Sequence, residues 1–212
     1  MKTIVQLMLF TIITGMFINC NRSKPKKSIE NLRVAFNTKT TAADKYAKYG
    51  QAALKEGFDT LGKLFETVAQ AERIQALNLQ NALEKLGGNA GVSESAPFEV
   101  KTTLENLQDA IKVESYEMQT MYPKFIREAE NEKAAEAAKT FTWSMDAEKK
   151  RLNYYRKALT SITKGNETAI DFTWYICSAC GNIFNVNDLK INCVFCLTKQ
   201  EKFIGIAEKP EQ

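Results

Sequence analysis

The sequence predicts a mainly α-helical protein, in which a four-helix bundle is followed by a small C-terminal metal domain with four cysteine ligands. Three observations support this fold class. Only ten glycines and four prolines occur in 212 residues, which favours long helices. Apolar residues recur at helical spacing through the central part of the chain. Two Cys-x-x-Cys pairs, separated by twelve residues, stand near the C-terminus.

The residues before Cys20 have the layout of a signal peptide. Lys2 is followed by an uncharged run, rich in Ile, Leu, Met and Phe, that is short for a membrane span of roughly twenty apolar residues. Cys20 stands where a bacterial lipoprotein carries its lipid, although Asn19 is less usual before it than Gly, Ala or Ser. We predict a signal peptide over residues 1–19 and a basic tether over residues 20–27. A cleaved secretory peptide and an uncleaved anchor are the alternatives.

This interpretation predicts an exported lipoprotein, anchored on the periplasmic side of a membrane or in the cell envelope of a bacterium. The basic residues after Cys20 would lie against an anionic membrane surface. The net charge of +4 is small, and no basic block with interleaved aromatic residues indicates nucleic-acid binding. Outside the cytoplasm, a thiolate cluster persists only when metal loads it or a reductant is present. Two disulfides, or four unrelated buried thiols, are therefore the alternatives to a metal site.

The bundle is predicted over residues 28–165. Glycines follow the second and fourth predicted helices, where they favour a helix end. The four helices are predicted from Ser28 to about Gly57, from about Asp59 to Leu86, from about Phe98 to Glu130 with a kink at Pro123, and from about Glu132 to Lys164. Residues 166–173 are predicted to link the bundle to the metal domain, residues 174–212.

Each predicted helix carries an ionisable residue on its apolar stripe. These residues are Lys39 in the first helix, Glu72 in the second, Glu114 with Glu117 one turn later in the third, and Glu148 in the fourth. Buried charges are costly unless they are paired or bind metal. We therefore predict one shared polar cluster inside the bundle. The alternative is a slight rotation of each helix that brings its charge to solvent.

The four C-terminal cysteines are predicted to bind one metal ion. Cys177, Cys180, Cys193 and Cys196 can present their thiolates at the corners of a tetrahedron, and Gly181 supplies the permissive backbone that such a knuckle needs. The spacing of the cysteines suits both iron and zinc. We expect iron at this site, with zinc as the alternative. The aromatic residues predicted to surround the metal are Trp174, Tyr175, Phe184, Phe195 and Phe203.

The order of the two domains and several short stretches resemble the rubrerythrin family. The stretches are AFNTKTTAADKY from Ala35, MYPKF from Met121, and YICSACG from Tyr175 with CVFC twelve residues after it. The likeness extends from Ser28 to Ile206. It implies a ferritin-like bundle with a di-iron carboxylate centre, a rubredoxin-like domain that passes electrons to it, and reduction of hydrogen peroxide. It also implies a homodimer.

The resemblance further implies a ligand pattern for the bundle. The family carries a glutamate on the first helix, Glu-x-x-His on the second, Glu-x-x-Glu on the third and Glu-x-x-His on the fourth. Four residues of this chain match ligand positions: Glu72, Glu114, Glu117 and Glu148. Three positions have lost their ligand and carry Lys39, Gln75 and Arg151 instead, and the chain contains no histidine.

These departures argue against a normal di-iron centre. We expect Lys39 and Arg151 to take the place of the metal charge by pairing with the four glutamates. Tyr46 and Tyr122 match positions that lie close to the metal ligands in the family. They either complete the polar network or pack as core aromatics.

Three functions are compatible with the sequence. The first is electron transfer to an unidentified redox partner through iron bound by four cysteines. The second is a peroxide-reducing enzyme, an oxidoreductase with an altered or single-metal bundle site. The third is a structural or interaction protein with zinc at the cysteines. The missing bundle ligands weigh against the second function, whereas the cysteine cluster suits the first and the third equally.

Overall fold

The computed structural model describes residues 24–91, 93–165 and 173–206. The predicted signal peptide, Cys20, the first four residues of the predicted tether (20–23) and residues 166–172 of the predicted linker lie outside the described residues. Within the described ranges, no helix is both long enough and apolar enough to cross a lipid bilayer.

Helices form the body of the described structure. They are α1 (Lys26–Lys55), α2 (Asp59–Lys85), α3 (Thr103–Tyr116), a π-helical segment (Glu117–Met121), α4 (Tyr122–Asn131) and α5 (Ala135–Thr163). Helix α1 packs along α2, while α5 packs against both α3 and α4. The turn between α1 and α2 passes through Gly57, whose φ of 85° suits glycine. The result is a four-helix bundle whose third member is interrupted.

The predicted start of the third helix at Phe98 is wrong. Helix α3 begins at Thr103, because Thr102 and Glu105 form a capping box. The Glu105 amide donates to the Thr102 hydroxyl at 3.4 Å, and the Thr102 amide donates to the Glu105 carboxylate at 3.2 Å. Both bonds satisfy amides that a helix start leaves without partners. Residues 98–102 therefore belong to the connection.

The irregularity predicted at Pro123 lies one turn earlier. The Tyr122 amide donates to the Glu117 carbonyl, which is the i→i+5 bond of a π-helix. A proline ring clashes with the carbonyl four residues before it, here that of Gln119. Gln119 lies within the π-helical segment, where the helix is wider. The distortion also places Glu117, one of the predicted cluster residues, at its first position.

Two apolar cores lie along the bundle. One contains Tyr46, Phe65 and Tyr155, and the other contains Tyr122 and Phe141. Along α1, Lys39 falls between the residues of the second core and those of the first, and Glu72 does the same along α2. The ionisable residues therefore occupy a layer between two apolar cores.

The C-terminal domain contains a three-stranded antiparallel sheet in the order β2-β1-β3. Its strands are β1 (Trp174–Cys177), β2 (Ile183–Asn185) and β3 (Phe203–Ile206). Side chains alternate between the faces of a strand. Trp174 and Ile176 accordingly pack into the bundle core, whereas Tyr175 and Cys177 face the cysteine cluster. The prediction that Trp174 belongs to the metal shell is therefore wrong.

Candidate metal centre and interior ion-pair cluster

The four cysteine sulfur atoms converge at one point of the C-terminal domain. All four lie within 4.8 Å of one another, and three of the four cysteines are fully buried. The Sγ atoms of Cys177 and Cys196 are 3.5 Å apart, and those of Cys180 and Cys193 are 3.6 Å apart. A disulfide would require about 2.05 Å. The cysteines are therefore free thiols gathered into one cluster.

The spacing of these atoms fits a metal ion. A metal–sulfur distance of about 2.3 Å in a tetrahedron places the sulfur atoms about 3.8 Å apart. The two separations above lie close to that value. Backbone amides also point at the sulfur atoms, as in a site that holds thiolates: those of Ala179 and Cys180 donate to Cys177, and that of Asn182 donates to Cys180. The cluster can hold one metal ion.

The two halves of the cluster share one backbone design. In the first knuckle, the Gly181 amide donates to the Cys177 carbonyl at 2.9 Å, and the Cys177 amide donates to the Asn182 carbonyl at 2.8 Å. In the second knuckle, the Leu197 amide donates to the Cys193 carbonyl at 2.9 Å, and the Cys193 amide donates to the Thr198 carbonyl at 2.8 Å. Gly181 and Leu197 therefore occupy equivalent positions, and both have a positive φ, 72° and 62°.

The first knuckle rests directly on α2. A Cβ atom at Gly181 would lie 2.7 Å from the Ala71 carbonyl oxygen and 3.0 Å from Cγ of Gln75. Glycine is thus required at this position for close approach as well as for its φ. The Asn78 side-chain amide, one turn further along α2, donates to the Ala179 carbonyl at 2.7 Å. The cysteine cluster and Glu72 are therefore attached to the same helix, on neighbouring turns.

Helix α5 supplies a second contact that the sequence did not reveal. The Nζ atom of Lys150 lies 3.9 Å from the centre of the Phe184 ring and 3.0 Å from the Asp188 carboxylate. The Tyr154 hydroxyl donates to the same carboxylate. Trp143 packs against the cysteine cluster, in place of the predicted Trp174. The one feature of the sequence that pointed to this contact was the i, i+4 spacing of Lys150 and Tyr154, which places both residues on one helix face.

We expect Cys180→Ser to release or weaken the metal and to unfold residues 174–206. The reason is size, since a unit of this length lacks an adequate apolar core without its metal. Metal per chain and the near-ultraviolet circular dichroism of the aromatic residues measure the two effects. Ser178→Ala, between the first two ligands, is the matched control and should retain the metal. Full metal content in Cys180→Ser would contradict the assignment.

Lys39 lies at the centre of the bundle and contacts three carboxylates. Its Nζ atom donates to Glu117 at 2.9 Å, to Glu148 over a very short distance, and it lies 3.1 Å from Oε2 of Glu72. The side chain is fully buried. Burial alone would lower the pKa of Lys39, but the three carboxylates raise it well above its ordinary value. Lys39 is therefore a charged ammonium group inside the protein.

Arg151 closes the other side of the cluster. Its Nε atom donates to Glu114 at 3.0 Å, and its Nη2 atom donates to Glu72 at 2.5 Å. Burial disfavours the charged form, yet the carboxylates of Glu114, Glu72 and Glu148 raise the pKa of Arg151 well above its ordinary value. Glu72 bridges the two cations, since it contacts both.

Four carboxylates and two cations leave a formal charge of −2 in this buried cluster. Burial and neighbouring carboxylates resolve this imbalance through protonation. Burial raises the pKa of Glu114 to about 7 despite Arg151, and burial, with Glu117 nearby, raises that of Glu148 well above its ordinary value. Burial acts in the same direction on Glu117, but Lys39 holds its pKa below its ordinary value. Below about pH 7, a proton on each of Glu114 and Glu148 would make the cluster neutral.

The tyrosines around the cluster pack rather than complete it. Within the described ranges, the hydroxyl groups of Tyr46, Tyr122 and Tyr155 have no hydrogen-bond partner, and all three rings are fully buried. Burial raises the pKa of each phenol well above its ordinary value. The Tyr122 ring lies 5.6 Å from Nζ of Lys39, within the range of a cation–π contact. Gln75 is also buried, with both atoms of its amide unpaired among the described residues.

Comparison with known proteins identifies the family. The rubrerythrin family model matches residues 30–159, which is more than half of the chain. The chain belongs to the rubrerythrin family. It is 31% identical over 173 residues to rubrerythrin-2 of Clostridium acetobutylicum, covering 81% of this chain and 92% of that protein. It is 32% identical over 178 residues to nigerythrin of Nitratidesulfovibrio vulgaris, covering 83% and 85%.

Solved structures agree with this assignment. A mixed-valence nigerythrin structure superposes with a TM-score of 0.75 at 27% identity, covering 84% of this chain and 86% of that one. A bacterioferritin of Desulfovibrio desulfuricans superposes with a TM-score of 0.63 at 17% identity, which supports the ferritin-like fold alone. The protein is thus a rubrerythrin-family member with a ferritin-like bundle and a small rubredoxin-like domain. Lys39, Gln75 and Arg151 stand at the three positions where the resemblance implies other ligands.

This rubrerythrin-family bundle is expected to lose stability as the pH rises from 5 to 8. The folded state holds the Glu114 proton up to a pKa of about 7, whereas the unfolded chain releases it near 4.5. Its contribution is complete below the unfolded pKa and is lost as the pH rises through the folded one, about 3 kcal/mol in all. Glu148 acts in the same direction.

The measurement compares Glu114→Gln with wild type by urea unfolding at several pH values. Subtracting the free energies of unfolding of the two proteins at each pH cancels the pH dependence that the cysteine ligands contribute to both. The variant should resemble wild type at pH 5 and become relatively more stable towards pH 8. Glu130→Gln, an exposed position on α4, is the control and should show no such trend. A pH-independent difference for Glu114→Gln would contradict the protonated cluster.

Proposed function

We propose that this chain is an exported electron-transfer protein whose working centre is a single iron ion held by Cys177, Cys180, Cys193 and Cys196. The observation that carries the proposal is the position of Lys39 and Arg151. Their charged groups lie among Glu72, Glu114, Glu117 and Glu148, where the resemblance to rubrerythrins implies metal. The bundle then serves as a scaffold for the cysteine domain.

The residues around the cysteines suit a one-electron centre. Iron in a four-thiolate site supplies a one-electron couple. The buried cysteines keep water from most of the site, and the backbone amides stabilise negative charge on the sulfur atoms. Phe184 and Phe203 stack at 4.9 Å with an interplanar angle of 13° and cover one side. A water-poor surrounding of this kind has few solvent molecules to reorient when the charge of the centre changes.

The interior cluster supports our proposal that the bundle holds no di-iron centre. Two ferrous ions would bring four positive charges to the carboxylates. Lys39 and Arg151 bring two, and protons on Glu114 and Glu148 supply the rest of the balance. Hydrogen bonds from the cations also occupy oxygen atoms that a metal would need. Metal binding would therefore have to displace two buried cations.

Peroxide reduction is the second candidate. It is favoured by the retention of Glu72, Glu114, Glu117 and Glu148 at ligand positions and by their convergence inside the bundle. This candidate requires iron in the bundle. The two candidates therefore differ in metal stoichiometry.

Metal content and turnover test the proposal. Protein purified without added metal should contain one iron per chain and show little peroxidase activity even with ample reductant. The Cys180→Ser variant should contain none, which would place the single iron at the cysteines. Additional iron in the bundle, with turnover, would establish the peroxide-reducing candidate instead. Stoichiometric zinc and a colourless protein would favour a structural role.

We also propose that Cys20 carries lipid and anchors the chain to a membrane on the exported side. The support is the uncharged run before Cys20 and the basic residues after it. In a bacterium that processes lipoproteins, the wild type should fractionate with membranes, and Cys20→Ala should accumulate as precursor. Asn19→Ala, closer to the usual signal, is the control and should be processed. A fully water-soluble mature protein that begins at another residue would contradict this proposal.

A further inference from the structure

The second cysteine knuckle has leucine at a position whose backbone conformation favours glycine. Leu197 occupies the position equivalent to Gly181 and has a φ of 62°, in the left-handed region that favours glycine. At Gly181 the close approach of α2 excludes a side chain. At Leu197 the side chain projects into solvent and is 76% exposed. The strain is therefore accompanied by exposure of a large apolar group.

Leu197 is one of three exposed apolar residues, here called the apolar patch, in the loop that contains Cys193 and Cys196. Ile191 is 82% exposed and Val194 is 57% exposed. A backbone bridge between Asn192 and Lys199 closes the loop that carries these side chains, and the Gln200 amide donates to the Ile191 carbonyl at 2.8 Å. Cys196 lies in the same loop and, of the four cysteines, is the one with partial solvent exposure. The exposed apolar residues and the most accessible of the four cysteines therefore lie in one loop.

The charged residues next to the patch in sequence, here called its rim, are mainly basic. The exposed ionisable residues from position 190 to position 202 are Lys190, Lys199, Lys202 and Glu201, a net charge of +2. An apolar centre with a charged rim is the usual composition of a transient protein interface. Complementary charge mainly accelerates association and orients the partner. A basic rim therefore selects a partner whose docking face is acidic.

We infer that Ile191, Val194 and Leu197 form the docking surface for an acidic electron-carrier protein, which exchanges one electron with the metal through the Cys196 side. This inference rests on the proposed electron-transfer function. When the carrier is the donor, it loses one electron and the iron gains that electron, so no bond forms or breaks. Strained backbone conformations occur preferentially at functional sites, which is consistent with a functional role for Leu197.

The test uses the full holoprotein and a plant-type [2Fe–2S] ferredoxin, an acidic one-electron carrier, as probe. Stopped-flow absorbance measures the second-order rate constant for reduction of the iron by reduced ferredoxin. Leu197→Gly should lower this constant by about tenfold, in the range of a loss at an interface centre. The melting temperature should rise, because the strain is removed. Higher ionic strength should also slow the wild-type reaction.

Three controls keep the outcomes distinct. Val100→Ser, at an exposed apolar residue far from the cysteines in sequence, should leave the rate unchanged. Dithionite needs no docking surface and should reduce wild type and Leu197→Gly at equal rates. Oxidised cytochrome c, a basic carrier, should take one electron slowly from the reduced form of either protein, and its rate should not depend on residue 197.

Each result separates the docking inference from the proposed function. Failure of dithionite to reduce any iron would overturn the proposed function itself. Normal reduction by dithionite, with equal ferredoxin rates for wild type and Leu197→Gly, would overturn the docking inference alone. Self-association of the wild type that Leu197→Gly abolishes would also overturn it, because the occupant would then be a second copy of this chain.

Discussion

Replacing Lys39 by methionine is expected to lower the free energy of unfolding by about 3–5 kcal/mol, the usual cost of breaking a buried ion pair by removing one partner. Methionine matches the length of the lysine stem, so the change removes mainly the charge. Lys39 is fully buried and contacts three carboxylates. Glu117, whose pKa Lys39 holds low, would remain as a buried carboxylate without its partner.

Urea unfolding followed by circular dichroism measures this effect. Lys48→Met, at an exposed position of the same helix, is the matched control and should change stability little. The double variant Lys39→Met/Glu117→Gln should recover part of the loss, because it also removes the orphaned carboxylate. An unchanged stability of Lys39→Met would mean that the cluster is hydrated or that Lys39 carries little of its energy.

Helical periodicity was sufficient to predict five of the six charged residues of the interior cluster. Residues spaced by three or four positions share a face, so Glu72 and Glu148 could be assigned to apolar stripes without a structure. Periodicity does not show which ions pair. Arg151 was linked to the cluster through the family's ligand pattern, three residues after Glu148. The bridging role of Glu72 between the two cations depends on helix rotation and became clear in the structure.

The cysteine site was predictable from spacing, but its surroundings were not. A Cys-x-x-Cys pair specifies a local turn, and both knuckles form in this way. The contacts of Lys150 and Trp143 with this domain join residues far apart in sequence, and no local pattern encodes them. Trp174 was misplaced for a related reason. Its aromatic character suits either face of β1, and strand alternation decides between them only when the register is known.

The third helix shows the limit of boundary prediction. The apolar pattern continues through Glu117, so one long helix was the natural expectation. The capping box at Thr102 and the π-helical segment before Pro123 are local hydrogen-bond choices that leave the periodicity almost unchanged. A π-helical segment often marks a functional position in a helix. Here it sets the position of Glu117, which contacts Lys39.

Restoring the family's ligand pattern is expected to create iron binding in the bundle. The triple variant Lys39→Glu, Gln75→His and Arg151→His would place carboxylate or imidazole at all seven ligand positions. It would also remove both cations that the carboxylates now contact. We expect iron to rise from one to three per chain when the variant is loaded with ferrous iron under anaerobic conditions.

Gln75→His alone is the control. It adds one imidazole but leaves Lys39 and Arg151 in place, so the bundle should still bind no iron. The Cys180→Ser change, combined with the triple variant, should leave two iron ions per chain and thereby assign them to the bundle. Iron in the bundle of the wild type would contradict the substitution of metal by cations and make peroxide reduction the better proposal.

Stability gives an independent measure of the same exchange. Without metal, the triple variant would bring five carboxyl groups together with no cation, so its apoprotein should be much less stable than wild type. A metal that binds the folded state stabilises it in proportion to its concentration relative to its dissociation constant. Ferrous iron should therefore raise the melting temperature of the triple variant strongly and leave that of the wild-type bundle unchanged. If the cations have replaced the metal, Lys39 and Arg151 neutralise the carboxylates in the wild type, whereas iron must do so in the triple variant. Only the triple variant should then depend on iron for its stability.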